Sequence, residues 1–331
     1  MFENQPPKIC IIGAGAMGGF LGTHLAQGFA DVSVLARGAT LKALRHKGWT
    51  LESQGRRIST SVKAVSDSAH LGTQDVVILS VKAHTLTDIL PHIQPLLGAH
   101  TVVVPVLNGV PWWFTLSDDD RLNRVDPHGA IAAAIPHHQV IGAVAYPACS
   151  CPEPGVVKLN SGSRLVFGEL SASEEGVFSP RLMAFVSLLK TAGLDAEASS
   201  DIRTEVWRKL LGNACFNPIS FITGAATDLL IDDMDIYHLF QSMMREIQSV
   251  GLSIGIQTGI NVTDRIAVTR KLGHVKTSML QDAEAGRAIE IDAILGAVVE
   301  LGKINGVPTP TLDMVLALAV MRAKTFGLLK A

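Results

Sequence analysis

Charge is scarce in this chain. Only 18% of its 331 residues are charged, and 28 Lys+Arg against 30 Asp+Glu leave a formal net charge of −2. No basic block tracks a nucleic-acid backbone, so polyanionic polymers are excluded as partners. Long uninterrupted apolar runs are missing too. Residues 9–30, 127–152 and 210–227 carry no Asp, Glu, Lys or Arg, yet glycines from Gly13 to Gly22 cut the first, Pro136 and Pro147 the second, and Asn213, Asn217 and Pro218 the third. A membrane-spanning helix needs about 20 predominantly apolar residues, so these stretches are expected to bury themselves in protein. A secretory leader is not expected, because Lys8 alone precedes the first run and Gly13, Gly15 and Gly18 interrupt it. The four cysteines, Cys10, Cys149, Cys151 and Cys215, form no C-x-x-C pair and read as reduced thiols of a cytoplasmic protein. No residue set has metal-ligand spacing, the adjacent His137 and His138 included.

What is present is alternation. Lys8–Ile12 is a short β-branched run of the kind buried on both faces of a parallel sheet. It ends in Gly13-Ala14-Gly15-Ala16-Met17-Gly18, a helical segment follows over 19–27, and Asp31–Leu35 is the next strand. Strand, glycine turn, helix and strand within roughly 30 residues make a βαβ unit. Further strands are expected at 62–65, 75–80 and 101–107, with helices over 41–47 and 84–97. The fold class is therefore α/β, an N-terminal doubly wound Rossmann-type sheet. Segments 156–159 and 164–167 flank Asn160-Ser-Gly-Ser163 and predict a hairpin that extends this sheet antiparallel. Beyond Ser200 and Asp201, either of which can cap a helix, helix formers dominate to the end. Residues 1–199 are read as a dinucleotide-binding domain and 200–331 as an all-helical substrate domain.

Position gives the glycine motif its meaning. Directly after a buried strand, Gly13 makes the tight turn, Gly15 admits a pyrophosphate to the backbone, Gly18 lets helix and strand pack closely, and the helix N-terminus supplies free N–H donors. A nicotinamide dinucleotide is the expected cofactor. NAD sites place an Asp or Glu at the end of the second strand to bind the ribose 2′-hydroxyl; this chain has Val34-Leu-Ala-Arg37. A guanidinium clamps a 2′-phosphate, so NADP is favoured over NAD. Lys82, after Ser80-Val81, offers an ammonium to a phosphate or carboxylate, and Asn108, after Leu107, offers an amide to the ribose–nicotinamide or to substrate. Both stand at carboxyl ends of strands, where ligands of open α/β sheets bind.

In the helical half, Lys209, Asn213 and Asn217 recur at i, i+4 and i+8, within about 80° of one helix face. Burying an ammonium and two amides among Leu210, Leu211, Ala214, Phe216 and Ile219 is costly unless they have partners, which a polar ligand provides. Ser278 and Glu290 would lie about 18 Å apart on one straight helix. Gly286 between them is expected to end the first helix and let a second begin near Ile289.

Taken in order, Gly13 to Gly18, Arg37, Ser80-Val-Lys82-Ala83, Leu107-Asn108-Gly109, Lys209 with Asn213 and Asn217, and Ser278 through Glu290-Ile-Asp292 resemble the ketopantoate reductase (2-dehydropantoate 2-reductase) family over nearly the whole chain. The resemblance implies NADPH-dependent reduction of a 2-keto acid, ketopantoate to pantoate in pantothenate biosynthesis, with Lys209 and Glu290 catalytic. It implies substrate contact for Asn108, Asn213, Asn217 and Ser278, and also for Thr227, which stands where the family has an Asn. It adds Asn108, Ala148 and Glu290 to the cofactor contacts. The segment 111–120, rich in aromatics at Trp112, Trp113 and Phe114, departs from the family and is expected at the cleft mouth or in a subunit contact. Helices over 279–285 and 289–304 are candidates for pairing two chains. The competing readings are a reductase of another 2-keto acid, a β-hydroxyacid dehydrogenase, which shares the glycine fingerprint and a Lys-x-x-x-Asn pair, and a non-catalytic NADP sensor.

Overall fold

A computed structural model describes residues 5–115 and 121–329. The chain divides into two compact units, residues 1–107 with 130–202, and residues 108–129 with 203–331. The last of the three chain boundaries falls after Ile202, whereas the sequence reading has a single cut between 199 and 200. The excursion of 108–129 into the helical unit departs from the single cut, because a 22-residue segment can leave one core for another and return without a composition change to mark it.

Among the described residues unit 1 holds twelve strands. They are β1 Lys8–Ile12, β2 Asp31–Leu35, β3 Trp49–Ser53, β4 Arg56–Thr60, β5 Lys63–Val65, β6 Val76–Leu79, β7 Val102–Pro105, β8 Gly142–Ala145, β9 Ala148–Glu153, β10 Val156–Ser161, β11 Leu165–Gly168 and β12 Ala196–Ala198. Five form a parallel sheet in the order β5-β2-β1-β6-β7. Ile9 to Ile12 are buried to within 1%, as are Val76 to Leu79, which is why these strands read as unbroken apolar runs rather than alternating ones. Strand order reverses at β1, with β2 on one side and β6 on the other, so the ends of β1 and β6 flank the topological switch point where such sheets bind ligands. Helices α1 Ala16–Leu25, α2 Gly38–Lys47, α3 Leu86–Ile93, α4 Ala130–Ala134 and α5 Pro180–Thr191 complete the unit.

A second sheet, β4-β3-β10-β9, packs on α1. A Cβ at Gly22 would overlap the Trp49 ring, and one at Gly19 would overlap Val157. These glycines weaken the helix by about 0.5–1 kcal/mol each, but they admit a fully buried indole of a kind whose truncation costs about 3–5 kcal/mol. The hairpin expected across 160–163 does not form. β10 pairs antiparallel with β9 and parallel with β3, whereas β11 joins β8 and β12 in a third sheet. The turn that makes the hairpin is Pro154-Gly155, ahead of β10 rather than after it.

Unit 2 contains α6 Ile202–Thr223, α7 Thr227–Asp232, α8 Met234–Ser253, α9 Val262–Arg270, α10 Ser278–Glu284, α11 Ala297–Ile304 and α12 Pro310–Thr325. A π-helical turn, Asp292–Gly296, runs directly into α11. Among the described residues no helix is long and apolar enough to cross a membrane.

Candidate active site

In unit 1 the glycine turn is tightly packed at two of its glycines and open at the third. Gly13 has φ +108, and a Cβ there would come within 2.7 Å of the Ser80 carbonyl. Gly18 presses against Gly13 so closely that a side chain would overlap the Gly13 carbonyl oxygen. Around Gly15, by contrast, nothing lies within 4 Å of the Cβ position. Gly15 also caps α1, whose first turn carries no acid. Open backbone at a helix N-terminus is an anion cradle. The Ser80 hydroxyl donates to the Gly13 carbonyl at 2.8 Å and so ties the end of β6 to the turn.

Arg37 leaves β2 and caps α2, exposed at a second helix N-terminus. Two residues beyond Ser80, Lys82 precedes a short 3₁₀ turn, Ala83–Thr85. Ala148 begins β9 and is exposed. These positions, with Gly13 to Gly18, are the unit-1 part of the expected cofactor set.

Unit 2 brings three of the other expected residues together. The Lys209 ammonium, on α6, donates to the Asn108 side-chain oxygen at 2.9 Å. Burial pushes the Lys209 pKa down to about 8, while the negative charge of Glu290 works in the opposite direction. Glu290 is itself buried, at 7% exposure. Asn213 and Asn217 stand one and two turns further along α6, Asn217 buried. The helix that the i, i+4, i+8 spacing predicts is present, and it runs through Pro218.

Gly286 stops α10. Its φ is +65, its N–H donates to the Ala283 carbonyl at 3.0 Å, and the Arg287 N–H reaches back to the Asp282 carbonyl at 2.8 Å, a Schellman ending. The next helical turn starts at Ile291, a little later than expected, and Glu290 lies in the non-helical step before it. Ser278 is the exposed first residue of α10.

Other expectations are corrected. Thr227 is buried and its hydroxyl contacts the Gly273 and Val275 carbonyls at 3.1 and 3.2 Å, so it tethers a loop and has no spare donor for a ligand. Trp112, Trp113 and Phe114 are core, not cleft lining. Trp113 and Phe114 are fully buried, and Phe114 stacks on Trp207 at 5.5 Å; residues 116–120 of the same segment lie outside the described residues. Most of the 289–304 stretch is buried, with Lys303 and Ile304 exposed at its end. Residues that sequence reasoning missed are Ala293, whose carbonyl accepts from the turn after Asn108, and Arg124 and Glu300, which fasten residues 123 and 124 to Asp292 and α11; only Gly109, next to Asn108, signalled the first contact.

Two family models match the chain. The model described as Ketopantoate reductase PanE/ApbA matches residues 9–172, and its C-terminal counterpart matches 201–323. The 2-dehydropantoate 2-reductase of Mesorhizobium japonicum is 45% identical over 317 residues, 94% of this chain and 96% of that protein. The chain belongs to the ketopantoate reductase family. A crystal structure from Ralstonia solanacearum MolK2, provisionally described as a ketopantoate reductase, is 43% identical with a TM-score of 0.92, covering 98% of this chain and all of that one. The ternary structure of D-mandelate dehydrogenase with NADH and anilino(oxo)acetate shares the fold at 24% identity and a TM-score of 0.81, covering 98% and 100% of the two chains.

Proposed function

We propose that this protein is a cytoplasmic NADPH-dependent 2-dehydropantoate 2-reductase, converting ketopantoate to pantoate for pantothenate biosynthesis. The observation that carries the reading is the Lys209 ammonium on an apolar helix, hydrogen-bonded to Asn108 at 2.9 Å and balanced by Glu290. Family membership and the 45% identity to the Mesorhizobium japonicum enzyme support it.

The cofactor fits the residues present. Backbone N–H groups of the Gly13 to Gly18 turn and the N-terminus of α1 would hold the pyrophosphate, at the one position of the motif where added bulk would meet nothing. Arg37 would bind the 2′-phosphate that distinguishes NADPH from NADH, and Lys82 would add a second cation. Asn108, Ala148 and Glu290 complete the proposed contacts. NADPH supplies the hydride that goes to the keto carbon.

This chain's residues manage the charge that results. Negative charge grows on the carbonyl oxygen, and a preorganised donor aimed at it is worth about 3–4 kcal/mol. Lys209 is that donor, and its proton passes to the oxygen to give the hydroxyl of pantoate. The lowered pKa, about 8, keeps the amine charged at neutral pH while bringing it near the range where proton transfer is efficient. Glu290 keeps the proton on Lys209 until it is needed, and Asn108 aims the ammonium. Asn213, Asn217 and Ser278 supply amide and hydroxyl groups to the substrate's carboxylate and its one hydroxyl.

Steady-state NADPH oxidation with a panel of 2-keto acids tests the assignment. Ketopantoate should give the highest kcat/KM; an aryl 2-keto acid in first place would move the substrate. Preference for 3-hydroxy acids with NADP+ would indicate a hydroxyacid dehydrogenase, and no turnover with any compound would indicate a sensor.

A further inference from the structure

Asn108 is held near Lys209 by a helical irregularity that runs directly into α11. The turn after Asn108 lies against the π-helical segment Asp292–Gly296. A Cβ at Gly109 would overlap the Ala293 carbonyl, so only glycine allows this approach. The Val110 N–H then donates to that carbonyl at 2.7 Å. In a regular α-helix the Ala293 carbonyl would accept from the Ala297 N–H. Here the Ala297 N–H reaches one residue further back, to Asp292. The wide turn therefore releases a backbone acceptor, and Val110 takes it, which is the insertion of an outside donor into a helical ladder.

The other end of the excursion is fastened to the same helix. Both carboxylate oxygens of Glu300 accept from backbone N–H groups, Asn123 at 2.9 Å and Arg124 at 3.0 Å. The Arg124 guanidinium crosses Gly296, where a Cβ would stand 3.3 Å from its Cδ, and donates to Asp292 Oδ1 at 2.6 Å. Asp292 is two residues past Glu290, and the Ile294 N–H donates to the Glu290 carbonyl at 3.1 Å. One π-turn thus carries the backbone of Glu290 on one side and the Asn108 turn on the other.

We infer that the 292–296 π-turn, locked by Arg124 to Asp292 and by Gly109 against Ala293, is the positioning device that sets Asn108 and Glu290 around Lys209. Arg124, Asp292 and Gly109 are positioning residues; none is assigned contact with substrate. The inference rests on the reading of Lys209 as the proton donor for its catalytic consequence, but not for the contact geometry itself.

The Arg124–Asp292 pair is nearly half exposed on both sides, 42% and 48%. Exposed pairs contribute at most about 1 kcal/mol to stability, so Arg124→Gln and Asp292→Asn should fold. The experiment measures three things in native protein, R124Q, D292N and R124K: kcat and KM, NADPH affinity, and the Lys209 titration by NMR of ε-carbon-labelled lysine. The expected result for R124Q and D292N is a kcat loss of about tenfold to a hundredfold, the scale of a small misplacement at a reacting centre. NADPH affinity should fall by much less than kcat, since Asn108 and Glu290 are only part of the proposed cofactor contacts and the unit-1 residues are untouched, and the Lys209 titration should move from its native position. Arg124→Lys should recover most of both. Gly109→Ala should reproduce the same pattern more strongly if it folds. Native kcat together with a native Lys209 titration in R124Q and D292N would overturn the inference. Should Lys209→Ala retain native turnover, the proposed function fails, and the Lys209 titration in R124Q still decides the positioning claim alone.

Discussion

At Lys209 two forces of opposite sign meet. Loss of water around the ammonium lowers its pKa, the Glu290 charge raises it, and the result is about 8. The direction of the pH dependence follows. Reduction needs the protonated amine, so kcat should be level below about 8 and fall as pH rises through it. Oxidation of pantoate by NADP+ needs the neutral amine and should rise through the same range. Glu290→Gln removes the opposing charge, so the fall in reduction should shift to lower pH; an unmoved profile would show that Glu290 does not act on Lys209. Lys209→Ala should lose about 10²- to 10³-fold in kcat, the scale of one missing oxyanion donor. At Arg37 the outcome is a difference between cofactors. Charge-assisted hydrogen bonds contribute about 1.5–3 kcal/mol, so Arg37→Ala should raise KM for NADPH by about tenfold to a hundredfold and leave KM for NADH unchanged.

Among the elements, those built from short-range signals could be read in advance. β1, the glycine turn and α1 are contiguous, and each glycine has a steric reason visible in the strand-turn-helix pattern. The Lys209, Asn213, Asn217 stripe was legible because helical spacing alone places those residues on one face. Gly286 was legible as a stop for α10. Long-range pairing was not. β10 runs parallel to β3 with Val156 opposite Thr50, a contact across more than a hundred residues that no local turn signal encodes. Two turn signals, Pro154-Gly155 and Asn160 to Ser163, competed for one hairpin, and pairing with β3 decided between them. The Glu300 carboxylate on the Arg124 amide joins residues 176 apart, and the π-turn is a product of that packing rather than of its own apolar sequence. Elsewhere, Glu246 caps α12 from a distance, accepting from the Thr311 and Leu312 N–H groups at 2.9 and 3.0 Å. Losing an N-terminal cap costs about 0.5–2 kcal/mol, so Glu246→Ala should lower Tm in a thermal melt without altering KM for either substrate.

For the whole molecule, the scarcity of charge takes on meaning once the fold is known. Among the buried charged side chains, Glu205 and Asp282 are paired with Arg208 and Arg287, while Glu290 at 7% exposure acts on Lys209 of α6. Ligand binding should register in global stability. A ligand held by the native state alone, at a hundred times its Kd, stabilises by about 2.7 kcal/mol. NADPH should therefore raise Tm in native protein and equally in Lys209→Ala, and raise it less in Arg37→Ala; an equal loss in both variants would break the separation between cofactor-holding and proton-donating residues. The most direct test of the account is steady-state NADPH oxidation with ketopantoate, native enzyme beside Lys209→Ala. The account predicts saturable turnover in the native enzyme, faster than with other 2-keto acids, and its near-complete loss in the variant with NADPH affinity intact. Equal turnover in the two proteins, or none in the native one, would contradict it.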